Sequence, residues 1–255
     1  LHLIGCYTGI NMIQFNSAKE RIIIPVDTSD LDSALKIVQL LKPYVGMFKF
    51  GLELLNTMLM GVVSGNSGMA EKVKMLFKET EGQLFWDGKW DDIPNTVGKA
   101  SAAAAMVNPK MVDVHVSSGA GAITEAVKAN PNTIVLGVTV LTSITDEESM
   151  SIFGKIAEEK VVDFAKMAMA AGAKGVVCSP KELSLLSEFK ELIKVTPGVR
   201  PEWASVNDQK RVMTPAEAVA VGADYLVIGR PITEYPAELG GPVAGAKKVA
   251  EEIGE

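Results

Sequence analysis

The residues with the strongest chemical character lie in one short stretch, Asp87-Gly-Lys89-Trp-Asp-Asp92-Ile-Pro-Asn-Thr96. Opposite charges at i and i+2 of a strand project from one face, so Asp87 and Lys89 are expected side by side. Asp92 follows in a loop, and Pro94 suits the first turn of a helix, which sets the Asp92 carboxylate near that helix's positive end. Lys49, in Phe48-Lys49-Phe50-Gly51, is a charge inside an apolar strand and needs a carboxylate partner. If the second and third strands are neighbours, Asp87 supplies it, and the row becomes Lys49, Asp87, Lys89, Asp92. The chemistry open to such a row is that of fixed, matched charges. The plainer alternative is an ordinary ion pair at a solvated strand end, with Lys49 snorkelling to the surface.

A second group carries glycine and arginine. Thr196-Pro-Gly198-Val-Arg200 and Ile228-Gly229-Arg230-Pro each join a glycine turn to a guanidinium. Backbone N–H groups and a guanidinium together suit a phosphate, whereas either segment alone reads equally as a turn with a surface cation. Between Gly198 and Pro215 runs a polar segment too long for an ordinary connection. It is a candidate lid bringing Gln209 to a ligand, with Trp203 as its latch or as a surface aromatic. His115, in Val114-His115-Val116, reads as a barrel-interior histidine more readily than as a base. Gly119-Ala-Gly121-Ala-Ile-Thr124 ends in Thr where a dinucleotide fingerprint needs Gly or Ala, and reads as a helix start.

Something must position these residues. Short β-branched runs alternate with stretches of helical periodicity. The strand candidates are Ile22–Val26, Met47–Phe50, Leu84–Trp86, Val112–Val116, Thr133–Val140, Gly175–Cys178, Ile193–Thr196 and Tyr225–Ile228, each followed by a helical stretch. Runs such as IIIPV, TIVLGVTV and YLVIG are apolar throughout, as strands of a parallel sheet covered by helices must be. Eight βα units in 255 residues predict one α/β domain, a (β/α)8 TIM barrel over residues 19–255. Residues 1–18 are set apart as an N-terminal extension or a cloning remnant, and GVVSGNSG at 61–68 as a turn between two short helices. In a barrel the polar residues at the C-terminal strand ends face the active side. Asp27, Lys49, Asp87, Lys89, His115, Thr142, Ser143, Arg200 and Arg230 all fall there.

Composition narrows the function. Lys and Arg number 25 against 31 Asp and Glu, a net charge of −6, which argues against a surface built to bind nucleic acid. Two cysteines, Cys6 and Cys178, make no disulfide framework, and two histidines, His2 and His115, leave little for a His-rich metal site. The segment before Lys19 lacks the basic start of a signal peptide and is too polar to span a membrane, so a cytoplasmic protein with no membrane partner is expected.

Taken in order, Val26-Asp27, Phe48-Lys49-Phe50-Gly51, the stretch from Asp87 to Thr96, Val195 to Pro201, Asn207-Asp208-Gln209 and Val227 to Thr233 resemble the orotidine 5′-phosphate decarboxylase family. The resemblance runs from about Arg21 to Glu251. It departs from the family's usual pattern at Gly88, Trp90 and Asp91, which stand where Leu, Phe or Leu, and His are usual.

The resemblance implies decarboxylation of orotidine 5′-monophosphate to uridine 5′-monophosphate without metal or cofactor. It makes Asp27 and Lys49 ribose contacts and Lys49, Asp87, Lys89 and Asp92 the charged network, with Lys89 as proton donor to C6. Thr142 or Ser143 would contact the pyrimidine, and Arg200, Gln209, Gly229 and Arg230 the phosphate and lid. Asp92, Ile93 and Thr96 would enter the partner's site in a homodimer. Two other readings stay open. One is a magnesium-dependent barrel acting on a keto sugar phosphate, against which Lys49 argues because an ammonium repels the cation. The other is a barrel that binds nucleotide without turnover.

Overall fold

The structure is a computed structural model describing residues 14–65, 67–204 and 213–254. Cys6, His2 and the Asn207-Asp208-Gln209 portion of the candidate lid lie outside the described residues. After a 3₁₀ turn at Ala18–Arg21, β1 (Ile22–Pro25) leads to α1 (Leu31–Leu41), and β2 (Met47–Phe50) to α2 (Leu52–Val63) and α3 (Ser67–Glu79). β3 (Leu84–Trp90) leads to α4 (Pro94–Ala104), and β4 (Met111–His115) to α5 (Ala120–Ala129). β5 (Ile134–Val138) precedes α6 (Asp146–Phe153) and α7 (Ala157–Ala170), and β6 (Gly175–Val177) a 3₁₀ turn at Pro180–Glu182. β7 (Ile193–Pro197) is followed by α8 (Pro215–Val221), and β8 (Tyr225–Val227) by α9 (Arg230–Thr233) and α10 (Gly241–Ile253). The strands are parallel, pair in sequence order and close where β8 meets β1. This is the (β/α)8 barrel that the alternation predicts.

Helix starts follow their capping chemistry. Asp30 accepts from the backbone N–H groups of Asp32 and Ser33 at the head of α1, and these bonds, the Ser33 hydroxyl first, hold its carboxyl below the ordinary range. Thr145 with Glu148 and Thr214 with Glu217 form reciprocal caps on α6 and α8. Pro94 opens α4 at the first turn, as expected.

The expected helix after every strand fails once, after β6. There Leu183, Leu186, Phe189 and Leu192 are all buried, with an apolar residue at every third position. That period matches the three-residue turn rather than the α-helix, and the chain runs through turns instead.

Two apolar layers follow from the two-residue period of a strand. Ile23, Met47, Phe85, Met111, Leu136, Val195 and Tyr225 fill the barrel, while Ile24, Phe48, Phe50, Val112 and Val114 pack outward against helix residues such as Leu35, Val97 and Ile123. Phe15 sets its ring edge-on to Tyr225, 5.1 Å between centroids, and Ala18 packs on the outer layer. Phe15 and Ala18, in the segment set apart as an extension, therefore contact the barrel. Among the described residues no helix is long and apolar enough to cross a membrane.

Candidate active site

One step of the strand period above the apolar filling, the barrel turns charged. Lys49, Asp87 and Asp113 each lie two residues beyond an inward apolar residue, Met47, Phe85 and Met111 respectively. The same inward face thus carries the core below and the charges toward the C-terminal rim. Lys49 Nζ is 2.8 Å from Asp87 Oδ2 and 3.5 Å from Asp27 Oδ1. Lys89 Nζ contacts Asp87 Oδ1 on one side and lies 2.7 Å from Asp113 Oδ2 on the other. The row therefore reads Asp27, Lys49, Asp87, Lys89, Asp113, in which each ammonium lies between two carboxylates. The pairing matters because Asp87 and Asp113 are buried, and a buried charge without a partner would cost several kcal/mol, of the order of 3–5.

Lys49, Asp87 and Lys89 lie together in one row, and within the single chain Asp92 stands outside it. In this chain Asp92 is exposed, and its Oδ1 accepts from the N–H of Ile93 at 2.6 Å. Asp113 extends the row within the chain, a residue that the sequence motifs do not single out.

The local geometry also differs from a plain strand. Trp86 pairs with Val112 and Trp90 with Val114, so β3 carries two more residues than β4 over the same span. Within this bulge Lys89 has φ +50°, a left-handed conformation that costs a non-glycine residue about 1–2 kcal/mol. Its N–H is held by Asp113 Oδ1 at 2.9 Å. Gly88 has a steric reason to be glycine, since a Cβ there would lie 2.9 Å from the indole nitrogens of both Trp86 and Trp90.

A cavity of about 210 Å³ opens above the row, lined by Lys49, Asp87 and Lys89 together with Val140, Thr142, Ser179, Pro197 and Val227. Thr142 faces this space, while Ser143 is exposed beside it. The cavity shares Thr142, Ser179 and Pro197 with a wider groove that Gly198 and Arg200 also line. Gly198 has φ +81°, which explains glycine at that turn. Gly229 leaves 3.0 Å between a built Cβ and Pro25 Cγ, and the exposed Arg230 begins α9. Trp203 packs edge-on against Tyr235 at 4.8 Å, with Lys248 Nζ 5.0 Å from its ring. It is half-buried on the core.

Ile93 is 65% exposed, and Thr96 is exposed too. His115 is half-buried at the end of β4, and its imidazole is pushed below the ordinary value by burial, against the pull of Asp91 and Asp113. The Cys178 thiol lines the cavity wall but is buried and pushed up to about 12, so it is no nucleophile. Among the described residues no group of three or more His, Cys, Asp or Glu side chains could hold a metal ion. The Lys49 ammonium lies between Asp27 and Asp87, where a cation would need to bridge them.

The model of the orotidine 5′-phosphate decarboxylase / HUMPS family matches residues 20–249. The orotidine 5′-phosphate decarboxylase of Moorella thermoacetica is 42% identical over 249 residues, covering 92% of this chain and 93% of that one. That of Heliobacterium modesticaldum is 38% identical over 252 residues, covering 93% and 97%. The crystal structure of orotidine 5′-phosphate decarboxylase from Lactobacillus acidophilus is similar with a TM-score of 0.74 at 29% identity, over 92% of this chain and 99% of the other.

Proposed function

Because the chain belongs to the orotidine 5′-phosphate decarboxylase / HUMPS family, we propose that it is a carboxy-lyase of pyrimidine biosynthesis. Its reaction converts orotidine 5′-monophosphate to uridine 5′-monophosphate and CO2. The observation that carries this reading is the alternating row of Lys49, Asp87 and Lys89 lining a cavity of about 210 Å³.

The reaction breaks the bond between C6 and its carboxylate, leaving the electron pair on C6 as CO2 departs. Such a carbanion has little stabilisation of its own, and the barrier must fall by an amount near the top of the enzymatic range, roughly 20 kcal/mol. Charges fixed before the reaction suit this task, since they need no reorganisation as the anion develops. Lys89 is the residue we assign to that anion and to the proton that then forms the C6–H bond, its ammonium being restored from water. Asp87, beside the departing carboxylate, would raise the energy of the bound substrate, and Lys49 would hold Asp87 in place.

The remaining roles follow the chemistry of each group. Asp27 and Lys49, 3.5 Å apart at the rim, suit ribose hydroxyls, and Thr142 suits a pyrimidine edge. Arg200, Gly229 and Arg230 suit the phosphate, with Gln209 joining them from the lid. Phosphate binding far from C6 would supply energy for closing the site, so these contacts should affect turnover as well as affinity. Asp92, Ile93 and Thr96, exposed in the single chain, are assigned to the neighbouring site of a homodimer. No cofactor is required by this scheme.

The test is the ultraviolet absorbance of orotidine 5′-monophosphate with purified protein, with and without a chelator. We expect loss of substrate at the same rate in both. Dependence on a divalent cation, or no loss with a folded protein, would overturn the proposal.

A further inference from the structure

Asp113 is fully enclosed in the barrel, yet both of its carboxylate oxygens are committed to a single residue. Oδ1 accepts the backbone N–H of Lys89 at 2.9 Å, and Oδ2 accepts its Nζ at 2.7 Å. We propose that Asp113 is the positioning residue of the reaction. In this role it clamps Lys89 by both ends in a left-handed turn, so that the ammonium faces the cavity from a fixed point between two carboxylates. The inference rests on the role given above to Lys89.

The two bonds do different work. The bulge between Trp86 and Trp90 removes the intervening backbone from the β3–β4 ladder, and an N–H left without a ladder partner inside a barrel must find another acceptor. Oδ1 is that acceptor, and it sets the direction in which the Lys89 side chain leaves the strand at φ +50°. An asparagine would serve this bond equally well through its carbonyl, with no charge to desolvate. A buried carboxylate is justified only by the second bond, in which Oδ2 meets the ammonium. Nζ thus donates to Asp113 and is ion-paired with Asp87, while Lys89 lines the cavity. Without Asp113 the ammonium would keep Asp87 as its one carboxylate contact within the chain, and its backbone N–H would lose its acceptor. Small misplacements of a reacting group are costly in rate and nearly silent in ground-state binding.

The experiment compares Asp113→Asn, which keeps the backbone bond and removes the charge, with Asp113→Ser, which shortens the side chain as well. Each is measured for thermal stability, for affinity to uridine 5′-monophosphate, and for kcat and KM with orotidine 5′-monophosphate. We expect kcat of Asp113→Asn to fall by about 100-fold or more while KM and product affinity stay within about threefold. Asp113→Ser should fall at least as far.

A kcat reduced less than about tenfold overturns the assignment. So does a parallel loss of kcat, product affinity and melting temperature, which marks a structural residue, and so does failure of both variants to fold. Lys89→Ala is run alongside as the control. If it keeps near-normal turnover, the role of Lys89 falls and the inference with it. If Lys89→Ala is inactive while Asp113→Asn is not, only the inference falls.

Discussion

Asp87 is shared between two ammonium groups, with Lys49 Nζ 2.8 Å from Oδ2 and Lys89 Nζ against Oδ1. Lys49 and Asp87 come from the adjacent strands β2 and β3, and each stands one strand period above an interior residue. The bridge is thus built into the barrel's register.

The assignment of Lys89 makes the first prediction. Lys89→Ala should fold with lowered stability, since Asp113 loses its ammonium partner, should still bind uridine 5′-monophosphate through the ribose and phosphate contacts, and should lose turnover by about 1,000-fold or more. Steady-state kinetics beside calorimetric product binding checks this. Turnover within tenfold of wild type would refute the role.

Arg230 tests the phosphate side. Arg230→Ala should weaken uridine 5′-monophosphate binding by about 10- to 100-fold, equivalent to the roughly 1.5–3 kcal/mol of a charged hydrogen bond, and leave uridine binding unchanged. Equal loss for nucleotide and nucleoside would place the phosphate elsewhere.

Asp92 tests the shared site. Its carboxylate is exposed and accepts from the adjoining Ile93 N–H, and we propose that it acts in a neighbouring subunit. Asp92→Ala and Lys89→Ala should each be inactive alone. Mixed one to one with subunit exchange, they should regain about one quarter of the wild-type activity, since half the dimers are mixed and each has one intact site. Exchange shown by mass spectrometry without recovery would argue against a shared site.

His115 makes a stability prediction. Burial lowers its value in the fold, opposed by Asp91 and Asp113 and aided by Lys89. A depressed histidine stabilises the fold above its unfolded value of about 6.5, and this contribution is lost as pH falls through that value and then the folded one, because the unfolded chain takes up the proton first. Urea unfolding between about pH 8 and pH 5 should therefore show a steeper acid loss for wild type than for His115→Gln. Matching slopes would show that His115 is not the source.

Much of the fold and part of the site are legible in the sequence. Eight apolar runs separated by helical periodicity determine the barrel, because strands covered on both faces cannot be polar, and short parallel units of this size close. Lys49 and Asp87 are legible for a related reason: a charge in an apolar strand must find its opposite on a neighbour. The same argument applies to Asp113, a lone carboxylate between Val112 and Val114. Its partner, though, is created by an irregularity of β3 that alternation does not encode.

Only the tertiary structure reveals the bulge in β3, the left-handed Lys89 within it, and Asp113 as that lysine's second carboxylate within the chain. It also replaces a helix with turns after β6. Local periodicity decides which face a residue takes. Which carboxylate meets an ammonium within the chain depends on where the backbone loses register, and packing between strands distant in sequence settles that.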